Sequence, residues 1–149
     1  MLGPTPLTAY GVTAGLREWY ASADAEELEY AASQRAARAS LRLLGGAAAP
    51  RGVDGAAGLR RVVLALEVPP GSVATCDDLD EGAVTVAGEL PWRLVAAALV
   101  DTEAAQGAVG KAVLAVDAAD LGEQDAELTV GDAEDFELAW YAAQELAGL

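Results

Sequence analysis

The chain has 149 residues, with 24 acids against 9 basic side chains and a formal charge of −15. It contains no histidine and one cysteine, Cys76, which excludes imidazole acid–base chemistry, Ser-His-Asp and Cys-His nucleophiles, histidine metal centres, internal disulfides and cysteine zinc cages. The apolar fraction is 53%, but 35 of those residues are alanine, so fewer large side chains are left to build a core.

This length fits a single domain spanning 1–149, because one core typically serves about 100–200 residues. No run approaches the roughly 18 consecutive apolar residues of a membrane span. Met1-Leu2-Gly3-Pro4 offers neither a charged n-region nor an apolar h-region, so no signal peptide is expected and the setting is read as cytoplasmic.

In chain order, Leu7 to Val12 predicts a short strand, from its β-branched and aromatic residues behind two prolines. Thr13 offers an N-cap for a short helix through Leu16, Trp19 and Tyr20. Ser22-Ala23-Asp24 is a second start signal, with Glu26 and Glu27 in the first turn, and a long helix should follow to Leu44, ended by Gly45-Gly46. Residues 45–58 read as a flexible Gly/Ala-rich loop inside the domain. Arg60 to Val68 predicts a strand stopped by Pro69-Pro70, and its continuous apolar stretch Val62–Leu66 suggests a central position covered on both faces. Asp77 to Gly82 is an acidic loop, Ala83–Ala87 a strand, and Leu94–Val100 is better read as strand than helix. Asp101 or Thr102 should cap a helix to about Val116, followed by a loop over 117–124. Residues 132–149 stay ambiguous: Asp132 could cap a helix, whereas Phe136, Leu138 and Trp140 alternate as in a strand. The pieces sum to an α+β fold, a mostly antiparallel sheet of about four strands with two main helices packed on one face.

Two motif-like segments fail on chemistry. Gly107-Ala108-Val109-Gly110-Lys111-Ala112 has Ala105 where a phosphate loop needs its first glycine, and Ala112 where it needs a hydroxyl for Mg²⁺. Asp77 to Gly82 would put Leu79 and Gly88 at ligand positions of a calcium loop, and neither ligates through its side chain. Cys76 precedes Asp77 and Asp78, whose charges disfavour a thiolate, so it reads as a bystander. Glu134, Asp135 and Glu137 read as capping and solubility groups, not as a catalytic pair.

Charge is uneven along the sequence. Residues 1–75 hold seven acids and seven arginines, while 76–149 hold 17 acids against Arg93 and Lys111. Such a half repels phosphate backbones and anionic membranes, so direct nucleic-acid or membrane binding is not expected; it reads as a solvated acidic surface or, alternatively, as one that attracts a basic protein partner. Arg35, Arg38 and Arg42 share one helix stripe. They complement the helix dipole, and could also dock against the acidic half or clamp an anion. Trp19-Tyr20 and Trp140-Tyr141 are paired aromatics in a chain with eight aromatic residues, suited to core packing or to a binding patch.

Three blocks carry a resemblance: Leu16-Arg17-Glu18-Trp19-Tyr20, Glu26 to Ala32, and Ala36 to Leu44. With Leu90-Pro91-Trp92 and Glu137 to Glu145, the chain resembles an uncharacterised actinobacterial family of small acidic proteins. Members of that family begin with a further strand and helix ahead of the segment matching Leu7, so a sheet lacking a strand is expected here. The resemblance implies a bacterial cytoplasmic setting and brings no activity, cofactor or catalytic residue.

The sequence thus points to a non-enzymatic protein-binding or regulatory domain without cofactor or metal. Its candidate binding residues are Trp19, Tyr20, Arg35, Arg38, Arg42, Trp92, Trp140 and Tyr141. The alternative is a small-molecule binder or enzyme with an Arg/carboxylate/aromatic pocket. An incomplete sheet edge would also allow self-association.

Overall fold

The computed structural model of the chain describes residues 2–3, 6–46, 59–76 and 80–148. In order, the elements are β1 (Leu7–Tyr10), α1 (Ala14–Trp19), α2 (Ala25–Gly45), β2 (Val62–Leu66), β3 (Val73–Thr75), β4 (Ala83–Val86), β5 (Val95–Asp101), α3 (Gln106–Asp120), α4 (Gln124–Glu134) and β6 (Leu138–Ala142). The fold is α+β. Two three-stranded antiparallel sheets, ordered β1-β4-β3 and β2-β5-β6, replace the expected single sheet of about four strands.

The chain divides into two compact units, Met1–Ala36 with Ala65–Ala96, and Ala37–Leu64 with Ala97–Leu149. The first is built on β4, whose Val86 stands opposite both Leu7 of β1 and Val73 of β3. Val84, Val86 and Leu90 form one buried cluster with Leu7, Val68 and Leu94 against it. Leu16, Leu28 and Ala32 form another with Tyr10 and Val12. Both expected helix starts are present. The Thr13 hydroxyl oxygen accepts from the Leu16 N–H at 3.2 Å, and Asp24 Oδ1 accepts from the Glu27 N–H at 2.9 Å. Each satisfies a backbone donor that a helix N-terminus otherwise leaves unpaired. Gly82 enters β4 with φ at +91°, and a Cβ there would come within 3.0 Å of the Gly11 carbonyl, so this turn requires glycine.

The second unit packs helix against helix. Val109, Ala112 and Val116 of α3 bury against Ala126, Val130 and Ala133 of α4 and Leu41 of α2. The α3–α4 hairpin turns at Gly122, φ +92°. The Gly122 N–H donates to Ala119 O at 2.9 Å and the Glu123 N–H to Ala118 O at 3.1 Å, the paired bonds of a glycine helix stop. Gly45 closes α2 where a Cβ would lie 2.9 Å from the Val113 carbonyl oxygen, so the missing side chain permits the close approach of α2 to α3.

Several expectations need correction. Among the described residues there are four α-helices, not two main ones, and α2, α3 and α4 share one cluster instead of lying side by side on a sheet face. Small buried residues make this approach possible. α3 runs to Asp120, which shortens the expected loop over 117–124 to residues 121–123. α4 was not expected, and Asp132 lies in its last turns instead of capping a new helix. Beyond it the alternation at Leu138 and Trp140 does mark a strand. β3 is a three-residue strand that its sequence does not announce. β2 stands at the end of its sheet with Val62 46% exposed, not at the centre; an apolar run records composition, not coverage. Residues 47–58 of the expected loop and 77–79 of the acidic loop lie outside the described residues.

Candidate functional site

Folding redistributes the charge. The first unit holds eleven acids and three arginines, a net −8, and the second thirteen acids and six basic residues, a net −7. The one-sided field read along the sequence is therefore shared evenly between the units.

The three candidate arginines do not form one site. Arg35 belongs to the first unit, where Nη1 donates to Asp80 Oδ1 at 2.6 Å and Nη2 lies 3.6 Å from Glu81. Its Nε is buried without a hydrogen-bond partner. Arg38 and Arg42 belong to the second unit. Arg38 reaches Asp120 at 3.2 Å, Glu127 at 3.2 Å and Glu134 at 3.1 Å, and Arg42 Nε donates to Asp120 at 2.7 Å. The three acids fall seven residues apart, one at the end of α3 and two on α4, so one α2 guanidinium ties both helices of the hairpin.

Partial burial alone would lower the Arg38 pKa, but hydrogen bonds to Glu127 and Asp120 and the charges of Glu127 and Glu134 raise it. The Asp120 carboxyl is held below its ordinary value, chiefly by its hydrogen bond to Arg42, against an opposing effect of burial and with further help from Arg38. Both shifts keep the groups ionised, the condition of a structural ion pair.

A second arginine site escaped the sequence reading. Arg61 and Asp101 are both fully buried. The Arg61 Nε and backbone N–H donate to Asp101 Oδ2 at 2.9 and 2.7 Å, and Nη2 donates to Asp101 Oδ1 at 2.7 Å and to Phe136 O at 2.9 Å. Nη1 is buried without a hydrogen-bond partner. The pair joins the start of β2, the end of β5 and the α4–β6 connection. Asp101 thus serves Arg61 and not the helix start assigned to it, and the α3 start carries no side-chain cap. A doubled arginine before an apolar run was the only hint, with the partner forty residues away.

The aromatic candidates lie differently. Trp19 ends α1 and Tyr20 follows as its cap, 64% and 41% exposed. Trp92 opens a short 3-10 turn in the same unit and is 60% exposed. Trp140 and Tyr141 lie on β6 of the second unit, Trp140 62% exposed and Tyr141 half-buried. Consecutive strand residues face opposite sides, so these two rings do not share one patch. Tyr141 stands opposite the buried Ala98, and Trp140 opposite Leu99.

Among the described residues, no group of three or more His, Cys, Asp or Glu is placed to hold a metal ion. No helix there is long and apolar enough to cross a membrane. The geometry offers exposed aromatic surface and internally committed arginines.

Residues 1–149 match the family described as "Family of unknown function (DUF6912)", so the chain belongs to that family. No curated protein and no solved structure matches it.

Proposed function

We propose that the chain is a non-enzymatic, cytoplasmic protein-recognition module whose partner is basic and whose anchors are tryptophans. The supporting observation is that Trp19, Trp92 and Trp140 are 64%, 60% and 62% exposed. Tryptophan typically hides about 150–250 Å² when buried, and an alanine-rich core gains most from rings of that size. Exposed tryptophan is also the side chain most enriched at binding hot spots. With Arg38 and Arg42 held by carboxylates of their own unit and Arg35 by Asp80, the arginines act as internal ties, and recognition falls to the aromatic side chains. The charge of −15 steers a basic partner toward the chain and repels nucleic acid and anionic membranes.

In-cell cross-linking tests this reading, comparing the chain with a Trp19→Ala/Trp92→Ala/Trp140→Ala variant. A basic protein should be captured by the parent, lost in the variant, and associate more slowly as salt is raised. The same proteins captured by both chains, or capture indifferent to salt, would overturn it.

A further inference from the structure

We propose that the outer edge of β6 is a strand-addition site for an extended segment with an apolar centre and Lys or Arg at its ends. This rests on the recognition reading above and names the surface and the partner's shape.

The ladder geometry carries the argument. Asp101 gives its backbone N–H to the Arg61 carbonyl at 3.1 Å, on the side of β5 turned toward β2. Asp101 is the register partner of Leu138, so that pair exchanges no ladder bonds. Bonded and non-bonded pairs alternate along an antiparallel ladder. Leu99–Trp140 and Ala97–Ala142 are therefore non-bonded pairs too, and the N–H and C=O groups of Leu138, Trp140 and Ala142 point off the sheet. A separate observation agrees: the Ala142 N–H donates to the Glu145 carboxylate at 3.0 Å. β6 ends the sheet order β2-β5-β6, so among the described residues these groups, the Ala142 N–H held by Glu145 apart, form an open template for another strand.

Chemistry along the edge selects the occupant. β6 reads Leu-Ala-Trp-Tyr-Ala and carries no charge, so it lacks the lysine or inward charge that ordinarily guards an exposed edge. Acids bracket it, Asp135 and Glu137 before and Glu145 after. An incoming apolar segment with basic ends matches that pattern. Its carbonyl would take over the Ala142 N–H and release Glu145 to meet the basic end, while the exposed Trp140 indole offers its face to a cation. A second copy of the chain, paired antiparallel, would instead set acids against acids.

A display library of random short peptides, selected on the full chain, tests this. Enriched peptides should alternate apolar residues between Lys or Arg ends. N-methylating the amides on one edge of a selected peptide should weaken binding at least about tenfold, the effect of losing one or two strand hydrogen bonds. Trp140→Lys, at an exposed position, should weaken it comparably with an unchanged circular-dichroism spectrum, and Leu114→Ala, at an exposed position of α3, should leave it unchanged. Three results would each overturn the site: no enrichment of basic peptides, N-methylated analogues that bind equally well, or dimerisation through β6 that excludes peptide. Peptides that bind through Trp19 or Trp92 would sink the β6 site and leave the recognition reading standing.

Discussion

The second unit holds two arginine–carboxylate sites of the same chemistry in different surroundings. Arg61 and Asp101 are wholly enclosed, whereas Arg38 and its partners Asp120, Glu127 and Glu134 are 22%, 30%, 48% and 36% exposed. Desolvating two charges costs several kcal/mol per ion, so the enclosed pair contributes little net stability while making the loss of either partner severe. The exposed cluster costs less to assemble, is screened by salt, and is weaker when broken. Burial, more than the number of ion pairs, decides how much each site matters.

The largest expected effect is that of Asp101→Ala, which strands a buried guanidinium and should destabilise the chain by about 3–5 kcal/mol in urea unfolding. The paired replacement Arg61→Met/Asp101→Leu removes both charges and should restore stability to within about 2 kcal/mol of the parent. A double variant as unstable as the single one would erase the contrast between the sites. Arg38→Ala comes next. It leaves Glu127 and Glu134 without the Arg38 guanidinium, while Asp120 keeps Arg42, and should cost roughly 1–2 kcal/mol, with the deficit depending on salt as the Asp101 deficit does not. Unfolding in low and high NaCl separates the two.

The smallest effect lies in acid. The Asp120 carboxyl is held below its ordinary value by Arg42 and Arg38, so the folded chain binds its proton less readily than the unfolded chain does. Its contribution is present above the unfolded value of about 3.9 and fades as pH falls through the lowered folded value. Arg42→Ala should therefore flatten the fall in Tm between about pH 5 and pH 3. An identical acid slope in both chains would show that Arg42 does not hold the carboxyl ionised. The raised Arg38 pKa gives the opposite sign: its contribution is present below the ordinary arginine value and is lost only as pH rises through the raised one, so it has no consequence in acid.

What could be read from the residues follows from how local each signal is. α2 was legible because Asp24 caps it and Gly45 stops it, both within a turn of its ends. α4 was hidden because two of its three buried positions, Ala126 and Ala133, are alanine, which hydrophobic periodicity barely registers. The Arg38–Arg42 stripe was visible as spacing, but its partners lie 78 to 96 residues away. Trp140 was singled out by its residue type alone. Its place at a sheet edge depends on β5, and no window around 140 contains that information.

The span of the Arg38 contacts also bears on the order of assembly. The α3–α4 hairpin closes over three residues at Gly122, whereas Arg38 meets Asp120 and Glu134 across 82 and 96 residues of chain. Short loops close sooner than long ones. Until α2 arrives, the nascent hairpin brings Asp120, Glu127 and Glu134 together without a counterion from Arg38. Its docking should thus be a late, salt-assisted event in refolding, with Arg38→Ala hastening unfolding more than it slows folding.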